Sequence, residues 1–308
     1  MSIYWLFIIL TGNINCEYYM GSVFGNLGKF HLNRLRDSKL RPENISAISS
    51  KCQNAYLGDY QNICKILGRF KIYIDSRDRT LGPYLLMDGF WEIQITECIA
   101  KNVKLGMNVI DVGANYGYYS LLMAGLIGNK GSKVYSIEAN PNIFSLLKNS
   151  IRINGLKNKV DPINIAIIDG DPKEMKFSFK NDSAMNGHLE VYRKNSNIEE
   201  SITVNANKLD NLVPVGEKID FIKVDIEGAE HMFWQGSSRI RKDNPDIKIL
   251  LEFNARRYEF AEQFVDSIID EGFTIKQIER TPDLDCYLTK QQLLSLPTHT
   301  HVMLLLER

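Results

Sequence analysis

The stretch that decides the fold runs from Val109 to Gly117 and reads Val-Ile-Asp-Val-Gly-Ala-Asn-Tyr-Gly. Its first half is apolar and mostly β-branched, which is typical of a strand buried on both faces. Its second half carries Gly113 and Gly117, and residues 118–126 are rich in Leu, Met and Ala, which favours a helix. A strand, a glycine turn and a helix predict a phosphate- or nucleoside-binding loop, because glycine lets the backbone approach a ligand and the helix N-terminus offers free N–H groups.

The spacing of the glycines narrows the class of ligand. A dinucleotide fingerprint reads Gly-x-Gly-x-x-Gly, whereas Asn115 occupies the position of the middle glycine here. The remaining Gly-x-x-x-Gly pattern, with Asp111 two residues ahead, resembles the S-adenosylmethionine loop of Rossmann-like methyltransferases. A carboxylate such as that of Asp111 could approach the amino group and the sulfonium of that cofactor. An ordinary strand-to-helix turn is the alternative interpretation.

Composition excludes several functional classes. The 308 residues suffice for one large domain or for a domain with an elaborated end. Basic and acidic residues number 37 each, so no overall positive field favours nucleic acid or an acidic membrane. The five cysteines are scattered and form no Cys-x-x-Cys pair, which indicates neither a zinc site nor a disulfide framework. A reducing, cytoplasmic location is the simplest expectation.

The N-terminal segment has an apolar run at residues 3–10. This run is much shorter than the ~20 residues of a membrane helix, and no basic residues precede it as they do in a signal peptide. We therefore expect no stable membrane insertion, and a weak signal peptide is the alternative. Residues 1–80 carry no recognisable motif and are interpreted as a cap or oligomerisation segment, with a helix over 57–67 and an edge strand over 70–74.

From residue 108 onward, predicted strands alternate with predicted helices. This alternation indicates a doubly wound, mostly parallel sheet with helices on both faces. After the first strand, the expected strands cover residues 133–138, 163–168, 219–225, 247–253, 273–278 and 301–306. Residues 171–205 interrupt the alternation and are expected to form a hairpin or lid around a polar turn at 181–187.

Polar residues at the carboxyl ends of the strands are informative, because ligands of open α/β sheets bind there. Glu138 ends the second strand 21 residues after Gly117, where an acid is placed to bind both ribose hydroxyls. Lys223, Asp225 and Glu227 alternate at the end of the fourth strand and would share one side of it. Charges in an apolar strand end are costly unless they are paired or used, so a mutually satisfied ion network is the alternative to a catalytic role.

Four residues near this edge are candidate catalytic groups, namely Asp225, Glu227, Glu252 and His231. Asp225 or Glu227 is the preferred base, and the histidine has a surface position as its alternative. A magnesium site made of Asp225, Glu252 and Asn254 would be chemically reasonable. It is less favoured because the ammonium of Lys223 would repel a divalent ion, and we predict no metal.

These motifs together resemble the FkbM-type S-adenosylmethionine-dependent methyltransferases. The resemblance covers roughly residues 81–308 and rests on ordered segments, which are Asp111-Val-Gly-Ala-Asn-Tyr-Gly-Tyr-Tyr-Ser, Ile137-Glu-Ala-Asn-Pro, Ile222-Lys-Val-Asp-Ile-Glu-Gly-Ala-Glu and Leu251-Glu, with Gly89-Phe-Trp-Glu and Thr96 as a lead-in. It implies a Rossmann-like class I α/β fold with a seven-stranded, mostly parallel sheet whose last strand is antiparallel. The segment 171–205 would then be an insertion in the methyltransferase domain.

The resemblance also implies a cofactor and an activity. S-adenosyl-L-methionine is the expected cofactor, and O-methylation of a sugar, a polysaccharide or a secondary metabolite is the expected reaction. The methionine part is expected at the glycine loop, the ribose at Glu138 and the transferred methyl beside Asp225. The full set of expected cofactor-binding residues is Glu92, Thr96, Asp111, Gly113, Ala114, Asn115, Tyr116, Gly117, Glu138, Ala139, Asn140, Ala166 and Asp225.

Two other functions are compatible with the sequence. An NAD-dependent oxidoreductase could share the fold, although Asn115 in place of the middle glycine counts against it. A non-catalytic S-adenosylmethionine-binding protein would keep the pocket without turnover. The expected partners are a small-molecule or glycan acceptor and a second copy of the chain bound through residues 1–80, and no nucleic acid is expected.

Overall fold

The computed structural model describes residues 28–128, 131–180, 182–189, 200–281, 286–297 and 300–308. The apolar run at residues 3–10 lies outside these ranges. The chain divides into two compact units, one that ends at His31 and one from Leu32 to Arg308, and every helix and strand named below belongs to the second. Within the described ranges, no helix combines the length and the apolar character needed to cross a lipid bilayer.

The second unit is built from strands and helices that alternate over most of its length. The strands are β1 (Asn54–Gly58), β2 (Gln61–Ile66), β3 (Phe70–Asp75), β4 (Val109–Val112), β5 (Val134–Ile137), β6 (Val160–Ile163), β7 (Ala166–Ile167), β8 (Lys173–Lys180), β9 (Ser183–Leu189), β10 (Glu200–Asn207), β11 (Phe221–Val224), β12 (Lys248–Phe253), β13 (Thr274–Gln277), β14 (Cys286–Tyr287) and β15 (Val302–Glu307). The α-helices are α1 (Arg41–Ser49), α2 (Gly82–Met87), α3 (Ile93–Asn102), α4 (Tyr118–Leu126), α5 (Pro141–Ile153), α6 (Glu230–Gly236), α7 (Ser238–Asp243), α8 (Ala261–Asp270) and α9 (Lys290–Leu294). Short 3₁₀ helices cover Leu32–Arg36, Ser38–Leu40, Leu209–Asn211 and Ala255–Arg257.

The central layer is an eight-stranded sheet with the order β14-β13-β15-β12-β11-β4-β5-β6. Strands β4, β5, β6, β11 and β12 pair in parallel, and β15 lies antiparallel between β12 and β13. The prediction of a mostly parallel α/β sheet is therefore confirmed. The predicted number of seven strands is one too few, because β14 has two residues and so short a strand leaves no periodic pattern in the sequence.

The third predicted strand, over residues 163–168, is replaced by two shorter ones. Strand β6 pairs with β5 in the central sheet, whereas β7 pairs with β10 in a separate sheet. Pro162 lies inside β6 and removes one backbone donor. A proline is tolerated there because, among the described strands, β6 is at the edge of the sheet and pairs on one side only.

The core lies between the central sheet and the helices that cover it. All four residues of β4 are buried, as the apolar run predicted. On one face, Phe233 and Trp234 of α6 and Phe264 of α8 pack in one cluster with apolar residues of β11 and β12. Helix α5 begins at Pro141, where the side chain of Asn140 accepts a hydrogen bond from the Asn142 N–H.

The segment before the sheet contains a three-stranded antiparallel meander, β1-β2-β3. The predicted helix over residues 57–67 is wrong, because Gly58, Asp59 and Tyr60 have positive φ angles of 91°, 47° and 58° and turn the chain into a hairpin. The predicted strand over residues 70–74 is confirmed as β3. The Tyr73 N–H of β3 donates to Ser150 Oγ of α5 at 2.9 Å, so a helix covers this edge of the meander.

The described part of residues 171–205 contributes three strands to a second sheet with the order β7-β10-β8-β9. The polar stretch expected to form a turn at 181–187 lies largely in β9. The Arg79 N–H donates to the Asp182 carbonyl at 2.9 Å, which links the β8–β9 connection to the segment that precedes α2. Residues of β8 and β9 lie near the carboxyl ends of β4, β5 and β11, since they line one cavity with residues from those strand ends.

We expect Gly236→Ala to destabilise the protein. A Cβ atom at Gly236 would lie 2.1 Å from the main-chain oxygen of Ile168, and Ile168 is itself fixed by a hydrogen bond to the Asn207 carbonyl. Overpacking against backbone costs roughly 1–3 kcal/mol. The measurement is the urea midpoint, which should fall.

Gly170→Ala is the matched control for this measurement. A Cβ atom at Gly170 would meet only the end of the Lys173 side chain, at 3.9 Å. Its urea midpoint should stay close to that of the wild type. Equal shifts in the two variants would show that the contact with Ile168 is not the cause.

Candidate active site

A cavity opens at the carboxyl ends of β4, β5 and β11. Open α/β sheets bind their ligands at this edge. The amide and charged residues that line the cavity are Asn115, Asn140, Glu138, Lys223, Asp225 and Glu227. The structure therefore brings together the glycine loop after β4, Glu138 after β5 and the charged residues at the end of β11.

The loop after β4 is shaped by glycine and by main-chain hydrogen bonds. The N–H groups of Gly113 and Ala114 both donate to the Ile137 carbonyl at 2.9 Å. Gly113 has a φ angle of 77°, and a Cβ atom there would lie 1.9 Å from the main-chain oxygen of Asp225. The glycine is required because the ends of β4 and β11 meet at this point, which is a different reason from the ligand approach that the sequence suggested.

Glu138 stands on the cavity wall at the end of β5. Its carboxylate accepts hydrogen bonds from the N–H groups of Asn115 at 2.9 Å and Asn140 at 2.8 Å. Burial raises the pKa of Glu138 to about 7, although these two donors act in the opposite direction. The main chain thus fixes the carboxylate, and each oxygen keeps a lone pair for a hydroxyl donor of a ligand.

Asp111 lies beneath the cavity and is fully buried. Its carboxylate accepts a hydrogen bond from Ser120 Oγ at 2.6 Å and lies 3.8 Å from Lys223 Nζ. Asp111 is therefore not part of the cavity wall, and its expected contact with the methionine part stays a prediction. Burial raises the pKa of Asp111, and the Lys223 charge opposes this rise.

Four further residues from the expected cofactor set do not line the cavity, and these are Glu92, Thr96, Tyr116 and Gly117. Thr96 donates to the Trp91 carbonyl at 2.8 Å, and Glu92 accepts from the Tyr119 hydroxyl at 3.0 Å. A Cβ atom at Gly117 would lie 2.6 Å from Leu147, so this glycine makes room for α5. The expected residues that do line the cavity are Gly113, Ala114, Asn115, Glu138, Ala139, Asn140, Ala166 and Asp225.

Asp225 and Glu227 line the cavity, whereas the other two catalytic candidates do not. The ring of His231 packs against Tyr258 and Phe264, and burial lowers its pKa. The structure thus places His231 and Glu252 off the cavity wall, and their roles as reserve bases stay predictions. Burial also raises the pKa of Asp225, and the charge of Lys223 acts against this rise.

Arg257 joins the remaining acids into one cluster. Its guanidinium donates to Glu227 and to Glu252, at 2.5 Å in each case. His301 Nδ1 lies 3.1 Å from the other oxygen of Glu252. Burial, together with the charges of Glu252 and Asp225, raises the pKa of Glu227. Burial alone would also raise the pKa of Glu252, but His301 and Arg257 bring it below its usual value.

Oxygen atoms of Asp225, Glu227 and Glu252 lie within 4.8 Å of one another, close enough to share a cation. A positive side chain already balances each of these acids, since Arg257 pairs with the two glutamates and Lys223 pairs with Asp225. A divalent ion would have to displace these pairs against charge repulsion. The amide oxygen of Asn254, the third ligand of the expected alternative, accepts from the Arg256 N–H instead.

Sequence reasoning missed the apolar wall of the cavity. Trp91 lines it from the segment before α3, and Phe177 and Phe179 line it from β8. A Cβ atom at Gly187 of β9 would lie 2.5 Å from the Phe177 ring, so the glycine provides the space in which this ring sits. The Phe-x-Phe alternation of β8 was the available signal, because it places both rings on one side of the strand.

Comparison with known proteins identifies the family. The model of the methyltransferase FkbM domain matches residues 111–302, which is more than half of the chain. No curated protein matches the sequence. Among solved structures, the chain is similar to a methyltransferase FkbM from Methylobacillus flagellatus KT, with 16% identity and a TM-score of 0.43 over 65% of this chain and 43% of that one.

Two further structures show similarity at the same low level. TYW2 of P. horikoshii, solved in complex with MeSAdo, is 18% identical, with a TM-score of 0.44 over 88% of this chain and 85% of that chain. The fibrillarin of Aeropyrum pernix, solved with natively bound S-adenosyl-L-methionine, is 12% identical, with a TM-score of 0.38 over 83% and 97%. The family match spans both the glycine loop and the charged end of β11, and the chain therefore belongs to the FkbM methyltransferase family.

Proposed function

We propose that the protein is an S-adenosylmethionine-dependent O-methyltransferase. The observation that carries this proposal is the placement of Glu138 and Asp225 on the wall of one cavity, with the glycine loop between them. Family membership supports methyl transfer. A carboxylate beside the loop supports an acceptor that has to lose a proton, as a hydroxyl group does.

The residues of the cavity fit this cofactor. The oriented carboxylate of Glu138 suits the two ribose hydroxyls, and Asp225 places negative charge where a sulfonium would be attracted. Ala166, Phe177 and Phe179 form an apolar wall suited to the planar adenine ring. When bound, the cofactor would supply an electrophilic methyl group on a positively charged sulfur.

Asp225 is the better candidate for the proton acceptor. Lys223 lies 3.4 Å from its carboxylate and favours the ionised form, and about a third of the side chain is exposed toward the cavity. Glu227 is held in an ion pair with Arg257. Burial and the negative charges of Glu252 and Asp225 raise its pKa. A base must be ionised and free to reach the hydroxyl, and Asp225 meets both conditions more fully.

Aromatic and acidic groups together support a sugar or polysaccharide as the acceptor. Tyr84 packs edge-to-face against Trp91, with ring centroids 4.9 Å apart, and Tyr84 is half exposed. Aromatic rings cover the apolar C–H faces of sugar rings, and carboxylates accept hydrogen bonds from their hydroxyls. A secondary metabolite with a hydroxylated ring would use the same groups.

The activity is tested with cofactor labelled in its methyl group and a panel of mono- and oligosaccharides, each paired with an analogue in which one hydroxyl is an amine. We expect label on a hydroxyl oxygen, located by mass spectrometry. Transfer to amines alone, or tight cofactor binding without transfer to any member of the panel, would contradict O-methylation.

Glu138→Ala should weaken cofactor binding by roughly 10- to 100-fold, because charge-assisted hydrogen bonds contribute about 1.5–3 kcal/mol. Calorimetry with S-adenosylmethionine is the measurement. Asp161→Ala is the control, since Asp161 is an exposed acid on the neighbouring strand β6 and should change affinity less than two-fold. Equal affinity of the Glu138 variant and the control would remove the ribose assignment.

Asp225→Asn should lower turnover with a responsive acceptor by about 10²–10⁴-fold, while cofactor affinity stays within a few-fold. The wild-type rate should rise with pH through the raised pKa of Asp225, because the ionised form is the active one. Glu227→Gln should have the smaller effect. The reverse order of the two variants would transfer the role of base to Glu227.

A chelator separates this mechanism from a metal-dependent one. We expect the initial rate to be unchanged after dialysis against chelator, because Arg257 and Lys223 already balance the carboxylate cluster. Loss of activity that magnesium restores would instead show that the cluster binds a metal.

A further inference from the structure

We propose that Lys223 is a positioning residue that couples the cofactor loop to the proton acceptor. This inference rests on the proposed function, in which Asp225 receives the proton of the acceptor hydroxyl. The Lys223 ammonium lies between the two parts of the site. It contacts the carbonyl of Gly113 in the loop and the carboxylate of Asp225, the proposed proton acceptor.

The groups around the ammonium come from β4, from the ends of β4 and β11, and from α4. Lys223 is 2% exposed. Its Nζ atom lies 3.3 Å from the Gly113 carbonyl oxygen, 3.4 Å from Asp225 and 3.8 Å from Asp111. The ring of Tyr119 lies 5.2 Å away on another side, within the range of a cation–π contact. A buried ammonium is retained only when it is paired in this way.

Asp111 supplies the counter-charge that holds the ammonium in place. The two residues are directly paired across β4 and β11. Ser120 Oγ donates to the Asp111 carboxylate at 2.6 Å, and Ser136 Oγ donates to Ser120 Oγ at the same distance. This hydrogen-bonded chain fixes one of the two carboxylate oxygens, and the other oxygen faces the ammonium at 3.8 Å. The acid of the loop motif therefore acts on the lysine of the cavity wall.

The charge of Lys223 keeps Asp225 able to accept a proton. The other ionisable groups that act on Asp225 are Glu92, Glu227, Glu252, Tyr119 and Arg257. The carboxylates among them favour the protonated form of Asp225, and Arg257 is shared between two glutamates. Without Lys223, the net charge around Asp225 would be negative, and the Asp225 carboxylate would take up a proton at a higher pH.

The same ammonium also fixes the conformation of the loop. The Gly113 N–H donates to the Ile137 carbonyl, and the Gly113 carbonyl accepts from the Lys223 ammonium. Both main-chain polar groups of Gly113 are thus hydrogen-bonded before a ligand arrives. A ligand that shifts the loop would move the Gly113 carbonyl away from the ammonium and change the field at Asp225.

The test uses carbon-13 NMR of the full chain with labelled aspartate, and the Asp225 carboxyl signal is assigned by its loss in Asp225→Asn. In Lys223→Met, we expect the titration midpoint of Asp225 to rise by about one pH unit or more. The dissociation constant of S-adenosylmethionine should rise about 3- to 10-fold, because the loop loses one hydrogen bond. Lys223→Arg, which keeps the charge, should restore most of the titration midpoint.

Lys248→Met is the matched control. Lys248 lies on the adjacent strand β12, where it pairs with Glu307 away from the cavity, and its removal should change neither measurement. If Lys223→Met lowers stability but leaves the Asp225 titration unchanged, the lysine is only structural and the inference is overturned. If Lys223→Met does not fold, Lys223→Gln carries the same test with a polar group in the buried position.

The two proposals can fail separately. The titration and the calorimetry need no acceptor, so failure of hydroxyl methylation would leave both readouts intact. Conversely, an unmoved titration would overturn the coupling while a large loss of turnover in Asp225→Asn would still support the base.

Discussion

The main chain of Gly113 lies so close to the carbonyl of Asp225 that no side chain fits between them, and the site depends on this contact. The contact brings the end of β4 against the end of β11. The loop and the candidate base thus become parts of one surface, although more than a hundred residues separate them in the sequence. Lys223 lies directly beneath, where its ammonium reaches both strand ends. A larger residue at position 113 would force the strands apart and separate the two halves of the site.

Local patterns predicted what neighbouring residues determine. The buried strand β4, the glycine turn and the acid at the end of β5 each depend on a few adjacent residues, and the structure contains all three. The burial of Asp111 depends on its cross-strand partner Lys223, and no local pattern announces that pair. The apolar spacing at residues 57–67 suited a helix and a hairpin alike, and backbone turning at Gly58 decided between them.

The carboxylate cluster shows why candidate acids alone do not define a mechanism. Asp225, Glu227 and Glu252 were recognised as acids, but their different environments follow from basic side chains that come from other elements. Arg257 follows β12 and pairs with two of them, and His301, just before β15, contacts Glu252. Asp225 is thus the acid that pairs with the buried Lys223 ammonium and is not held by Arg257. The sequence of the strand end does not show this difference between the acids.

The hydrogen bond between Arg79 and Asp182 joins two segments that contribute no strand to the central sheet. Each segment supplies cavity residues, Leu81 and Trp91 from one and Phe177 and Phe179 from the other. Neither segment takes part in the contact between Gly113 and Asp225. A change in either segment would therefore alter the shape of the cavity, while the contact between the two strand ends would stay as it is.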